Sequence, residues 1–356
     1  MSAETPISVE TISKQAFRTI ERVPGGGLYT EEARQRRLEY LNEKTSVKLT
    51  NIEQIGFNVD HVRNNCESLI GSVEVPVGVA GPLLINGRFA KGKHYAPLAT
   101  SEGALIASIA RGATALTMAG GANAAFIGKR MIRAPLFEFN SLETALIFAQ
   151  LVNDSFADIK VQAESSSRYA VLKSIEPQVN GRCVHVQFIY ETGDAAGQNM
   201  TTTATWNAVQ WLKHKIAECG LVLRNYLIEA NLSNDKKVTY QSFIRGRGSR
   251  VAVDCLLPGS VVRRILKVDP QQLVSSYRHL ASGALCSGMV GINVNISNAI
   301  AAIFTATGQD IASVHESSIG HLHLEMDDQD AVYTSLTLPS LVIGTVGGLA
   351  RGSVYN

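Results

Sequence analysis

Three stretches of this chain carry side chains suited to acid–base and electrostatic chemistry. Glu102 lies in Ala96–Gly121 (APLATSEGALIASIARGATALTMAGG), Lys236 in Asn234-Asp235-Lys236-Lys237, and Asp310 in Gly308-Gln309-Asp310. A positioned glutamate passes a proton to or from a reacting group. A lysine aimed at developing negative charge stabilises it, with a neighbouring aspartate to orient it. A carboxylate that follows the apolar run AIAAIFTAT is costly unless it is paired or exposed. Each stretch also has a plainer reading. Glu102 then caps a buried core helix, and the Asn-Asp-Lys-Lys string is an exposed turn.

The elements that position these residues are legible in outline. Thr100 or Ser101 reads as the N-cap of a helix with Glu102 in its first turn, closed by Gly120 and Gly121. The helix dipole keeps a carboxylate there ionised, so use as an acid needs an opposing influence nearby. The small residues of that helix admit another backbone or a flat ligand, and Ser108 and Arg111, three apart, share a face. Residues 1–27 read as an arm and linker ending in Pro-Gly-Gly-Gly. Glu31–Thr45 reads as a helix with acidic residues in its first turn. Residues 73–83 read as extended, and Asn86-Gly87 between apolar residues signals a hairpin.

From Pro135 to Leu227 strand-like runs (LFEF, RYAVLKSIEPQV, CVHVQFIY) alternate with helical ones, which predicts a compact α+β unit inserted into a larger domain. Within it, the polar loop of residues 191–200 feeds a helix, and its glycine lets backbone amides approach a phosphate, although most such loops are only turns. Residues 280–303 are again rich in small side chains and are expected against the Glu102 helix. His321 and His323 alternate as on a strand face, with nothing of metal-site quality beside them. A glycine-rich turn, Gly344-Thr345-Val346-Gly347-Gly348, follows.

Composition excludes several classes. At 356 residues the chain has room for more than one domain, and its formal net charge of +2 gives no global field for nucleic acid. The runs Arg34/Arg36/Arg37 and Arg245/Arg247/Arg250 read by default as solvated faces. Five widely spaced cysteines, without a C-x-x-C, argue against a disulfide framework or a zinc site. No secretory h-region and no long uninterrupted apolar segment is visible, so a soluble, cytoplasmic protein without metal is expected.

Taken together, ATSEG with Glu102, NDKK with Lys236, GQD with Asp310, the VPVGVAGPL segment and GTVGG resemble the hydroxymethylglutaryl-CoA (HMG-CoA) reductase family, in the class shared by eukaryotes and archaea. The resemblance runs from about Glu31 to Gly348. It implies NADPH-dependent, four-electron reduction of HMG-CoA to mevalonate and CoA, the mevalonate-pathway step of isoprenoid synthesis. It implies an α+β fold in which a large mixed α/β substrate domain (28–134 and 228–356) holds an inserted ferredoxin-like NADP-binding domain (135–227). It implies a homodimer with each active site at the subunit interface.

By the same resemblance Lys236 stabilises the oxyanion, Glu102 supplies a proton and Asp310 sits between them. Arg133, Asp235 and Lys237 match positions that grip the HMG carboxylate. Ser108, Arg111 and Arg278 match the CoA path, and Asn298 a substrate-side asparagine. Ser167, Arg168 and Tyr169 match a triplet at the adenosine 2′-phosphate. Asp194, Gly197, Asn199 and Met200 match the D-x-x-G-x-N-M loop, and Gly344, Thr345, Val346 and Gly347 complete the cofactor face.

The sequence departs from the family pattern in places. Glu229-Ala230 replaces the usual Ser-Gly, Asn295 replaces a histidine near CoA, Gln198 stands where the cofactor loop usually has methionine, and Val238 replaces a proline. The family continues past GTVGG into a helical segment whose histidine protonates the departing thiolate. Here none of the eight histidines follows His323. Either that segment lies outside these residues or the protein lacks it. Two alternatives to HMG-CoA reduction stand beside it: a reductase of another acyl thioester, favoured by Glu229 and Asn295, and a non-catalytic CoA- or nucleotide-binding paralogue.

Overall fold

The computed structural model describes residues 22–63 and 65–346, which form two compact units, one up to Glu74 and one from Val75 onward. In the first unit Thr30 caps helix α1 (Glu31–Thr45), its hydroxyl accepting from the Ala33 amide at 3.2 Å. The expectation of a solvated arginine face fails here. Arg34 and Arg37 are buried, while Arg36 is exposed. Arg34 donates to the carbonyls of Glu53 and Ile70, and Arg37 to those of Leu69, Gly25 and Leu28. A guanidinium with several fixed donors closes loop carbonyls that would otherwise lose water unpaired.

The second unit opens with the hairpin β1 (Val77–Gly87) and β2 (Lys91–Ala99), antiparallel as the Asn-Gly signal implied. Helix α2 follows, but it begins at Leu105 and runs to Met118, later than its sequence suggests. Ala104 at its start is left-handed (φ 65°), and the Thr100 hydroxyl accepts from the Glu102 amide at 2.9 Å. Thr100 thus caps a turn, and Glu102 sits in the loop before the helix. The far end is as expected: Gly120 and Gly121 take φ 101° and 100° and turn the chain into β3 (Ala122–Arg133).

Next come β4 (Leu136–Glu138), α3 (Leu142–Asp154), α4 (Phe156–Glu164), β5 (Val171–Asn180), β6 (Cys183–Glu191), α5 (Gln198–Glu218) and β7 (Asn225–Leu227). Their strands pair antiparallel in the order β7-β4-β6-β5. That is the ferredoxin-like βαββαβ arrangement, as the resemblance implied. Helices and sheet enclose a core of fully buried Phe137, Phe139, Phe148, Phe188, Val209 and Leu212.

A short helix α6 (Tyr240–Arg245) leads to β8 (Gly248–Pro258), α7 (Pro270–Cys286), β9 (Gly291–Ile292), α8 (Ile296–Ala306), β10 (Gly320–Asp327) and β11 (Ala331–Leu341). The larger layer runs β3-β8-β11-β10-β9, with the β1–β2 hairpin joined to β3. Strand β3 belongs to both layers: its first half pairs with β8 and its last three residues with β6. Of the small-residue segment 280–303, it is α8 that meets α2, through Ala302 and Ile303 against Leu105, Ile106 and Ile109. Helix α7 packs instead on β10, where the Tyr277 hydroxyl donates to the Leu322 carbonyl.

Candidate active site

The loop between β7 and α6 bears Lys236. Three of its residues, Asn231, Asn234 and Lys236, take φ of 66°, 59° and 56°. Asparagine enters this region easily; lysine does so at a cost of roughly 1 kcal/mol, so its surroundings must hold it. They do. The Lys236 amide donates to Glu316 Oε1 at 3.2 Å, Gln187 donates to the Leu232 carbonyl at 2.7 Å, and the Asp235 amide donates to Ser233 Oγ at 3.3 Å. The outcome is a half-exposed ammonium: Lys236 Nζ lies 3.0 Å from Asp310 Oδ2, each side chain 41% exposed. Asp310 is therefore both paired and exposed. Its other oxygen accepts from the Ala312 amide at 3.1 Å, fixing the carboxylate at the head of a single helical turn.

Beneath this pair lies a ring of charged and polar groups. Arg247, fully buried rather than solvated, donates to Glu316 Oε1 at 2.7 Å, and its Nη2 stands 2.8 Å from Asp235 Oδ1. Gln198 donates to Asp235 Oδ1 and to Ser313 Oγ, and Ser313 reaches Asp310 Oδ2 at 3.5 Å. The circuit returns to Lys236. Burial pushes the Glu316 carboxyl up and the Arg247 guanidinium down, each against the pull of its partner.

Arg133 ends β3 beside the ring. It donates from Nε to Thr202 at 2.8 Å, from Nη2 to the Gln198 carbonyl at 2.9 Å and from Nη1 to Asp235 Oδ2 at 3.2 Å. Glu229 Oε2 stands 3.7 Å from the same Nη1. Lys237 turns back on its own loop, donating to the Asp235 carbonyl. Asp235 thus faces two guanidinium groups, and it is Asp310 that holds the Lys236 ammonium.

Glu102 stands apart. Its carboxylate accepts from Asn298 Nδ2 at 2.9 and 3.1 Å, and among the described residues no hydrogen bond or ion pair joins it to Lys236 or Asp310. The structure therefore brings Glu102 and Asn298 together, and Lys236, Asp310, Asp235 and Arg133 together, as two groups within one chain. Ser108 and Arg111 are exposed on α2, and Arg278 is exposed on α7.

The cofactor residues converge. Gly197 starts α5 at φ 90°, where a Cβ would come within 2.4 Å of Thr192, and no side chain caps that helix. Its free amides suit an anion. The Thr345 amide donates to the Asp194 carbonyl at 2.8 Å, and Val346 pairs with Ala195. Gly344 approaches so closely that a Cβ would lie 2.5 Å from the Ala196 nitrogen. Ser167 Oγ lies 3.1 Å from Met200 Sδ, and the Arg168 guanidinium lies over the exposed Tyr169 ring at 4.9 Å. Asn199 lies in the first turn of α5, and Gly347 lies outside the described residues.

Three supporting residues were given no role from the sequence. Gln309 exchanges two 3.0 Å hydrogen bonds with Gly344, tying that turn to the segment that bears Asp310. Lys129 donates to the Gly193 and Ala195 carbonyls, and burial pushes its ammonium down from the ordinary lysine value. Glu316, in the string His315-Glu316-Ser317-Ser318, is buried and accepts from Arg247 and the Lys236 amide. Among the described residues no cluster of His, Cys, Asp or Glu has the makings of a metal site, and no helix is long and apolar enough to cross a membrane.

A sequence model of the family described as hydroxymethylglutaryl-coenzyme A reductase matches residues 33–353. The chain is 40% identical over 331 residues to the 3-hydroxy-3-methylglutaryl-coenzyme A reductase of Aeropyrum pernix, covering 91% of this chain and 76% of the relative. It is 36% identical over 321 residues to that of Methanocaldococcus jannaschii, covering 88% and 78%. Among solved structures, a class II 3-hydroxy-3-methylglutaryl-CoA reductase from Streptococcus pneumoniae bound to NADPH is similar in fold. It superposes with TM-score 0.65 at 16% identity, covering 90% of this chain and 87% of that one.

Proposed function

The chain belongs to the hydroxymethylglutaryl-coenzyme A reductase family, and on that premise we propose that it reduces HMG-CoA to mevalonate and CoA with NADPH, in a cytoplasmic setting. The observation that carries the reading is the Lys236–Asp310 pair at 3.0 Å, on a loop held by Glu316 at the Lys236 amide and by Gln187 at the Leu232 carbonyl. A preorganised cation beside the reacting carbonyl stabilises the oxyanion that each hydride addition creates. Asp310 holds that ammonium in place. Glu102, oriented by Asn298, is the proton donor.

Residues 135–227 form the cofactor domain. The uncapped amides at Gly197–Met200 suit the pyrophosphate, and the Arg168 guanidinium, with Ser167 and Tyr169 beside it, suits a 2′-phosphate. Asp194, Gly344, Thr345 and Val346 supply the opposite wall. Two NADPH molecules, bound in turn, would each supply one hydride. Arg133, with Asp235 and Lys237, receives the distal carboxylate of the acyl group, and Ser108, Arg111 and Arg278 line the CoA path.

That no hydrogen bond or ion pair joins Glu102 to Lys236 or Asp310 among the described residues supports a site completed by a second copy. Exposed Val77, Val79, Phe89, Tyr95, Phe126 and Ile127 on β1–β3 and the β1–β2 turn offer apolar surface for that pairing. The test is NADPH oxidation driven by HMG-CoA, with the product identified by mass spectrometry. Mevalonate is expected; NADPH oxidation that does not depend on HMG-CoA, or none at all, overturns the reading.

A further inference from the structure

Glu229 is the one carboxylate at Arg133 that the proposed chemistry does not use. It replaces a small neutral residue of the family pattern. Its Oε2 stands 3.7 Å from Arg133 Nη1 and accepts a long 3.4 Å bond from the Ala134 amide. Its Oε1 is buried and has no hydrogen-bond partner among the described residues. The carboxylate is therefore held loosely, and a buried carboxylate oxygen without a donor is costly.

Arg133 itself is nearly saturated. It is buried, and its guanidinium is engaged by Thr202, the Gln198 carbonyl, Asp235 and Glu229. Asp235 is fixed by a second arginine, Arg247, and by Gln198. Glu229 has no such second anchor. Of the two carboxylates on Nη1, Glu229 is the one an incoming anion can displace.

We infer that Glu229 competes with the distal carboxylate of the acyl substrate for Arg133, and so sets how strongly this enzyme selects for a dicarboxylic acyl group. The inference rests on the proposed assignment of Arg133 to that carboxylate. Two carboxylates beside one guanidinium repel unless one moves or takes up a proton. The substrate must therefore spend part of its attraction for Arg133 on displacing Glu229. The groups around Glu229 are Arg133 on β3, His185 on β6, Asp235 in the lysine loop and Arg247 before β8. Burial holds the His185 imidazole down, opposed by the charge of Glu229.

The test compares the wild type with Glu229→Gln and Glu229→Ser. Gln keeps the shape and an acceptor for Ala134; Ser removes the bulk as well. Dissociation constants are measured by calorimetry, and KM and kcat by NADPH oxidation. The two thioesters are HMG-CoA and 3-hydroxy-3-methylbutyryl-CoA, which lacks the distal carboxylate. Both variants are expected to bind HMG-CoA roughly tenfold more tightly, the size of one exchanged ion pair. The gain appears in KM more than in kcat, and the carboxylate-free thioester changes little. Unchanged or weaker HMG-CoA binding in both variants overturns the inference, as does an equal gain for both thioesters. Tighter, carboxylate-dependent binding without any turnover supports the inference and counts against the proposed activity alone.

Discussion

At the residue scale, the account turns on which charges are shielded. Lys236 and Asp310 are half-exposed; the groups that hold them are not. Arg247 joins Asp235 to Glu316 with no exposed surface. Arg247→Met leaves the buried Glu316 without its guanidinium and Asp235 with Arg133 alone, and the expected loss is about 3–5 kcal/mol of stability in denaturant titration. Glu316 adds a pH signature. Its carboxyl is raised above the unfolded value of 4.5 by burial, so the native state binds more protons than the unfolded one above that value. That contribution is fully present below pH 4.5 and is lost as pH rises through the native value. Relative to Glu316→Gln, the wild type is therefore expected to lose stability across that window, as measured by melts at a series of pH values. The Lys236–Asp310 contact joins two residues singled out from the sequence for their types and motifs. Their supports were not. A buried arginine and a surface arginine look alike in a string such as Arg245–Arg250, because burial is decided by partners far away in the chain.

At the element scale, period and punctuation carried most of the architecture. The capped helix α1, the hairpin and the alternation of residues 135–227 all follow from local signals. The start of α2 did not: Ala104 takes a left-handed φ of 65°, which alanine's own propensity does not foretell. The ferredoxin-like layer depends on its aromatic core, where Phe137 and Phe148 lie with ring centroids 4.7 Å apart. Phe148→Ala is expected to cost about 3–5 kcal/mol in equilibrium unfolding. The cofactor loop depends on Gly197. A Cβ there meets Thr192 at a left-handed backbone angle, so Gly197→Ala displaces the head of α5. The expected result is a KM for NADPH raised about tenfold or more, with KM for HMG-CoA affected less.

At the scale of the whole molecule, Glu102 with Asn298 and Lys236 with Asp310 form two groups that no hydrogen bond or ion pair joins among the described residues. Spacing along a chain says nothing of which copy a side chain serves. If two copies share each site, Glu102→Gln and Lys236→Ala chains are each inactive alone and complement when mixed. Random pairing recovers about a quarter of the wild-type rate. No recovery after verified subunit exchange argues that each chain builds its own site.

The central claim is that Lys236, clamped by Asp310, drives a four-electron reduction of a thioester. Its most direct test counts NADPH consumed per CoA released from HMG-CoA, in the wild type and in folded Lys236→Ala. The account predicts about two NADPH per CoA, and a rate reduced by a factor on the order of a hundred or more in the variant. One NADPH per CoA, or a variant that turns over at the wild-type rate, contradicts it.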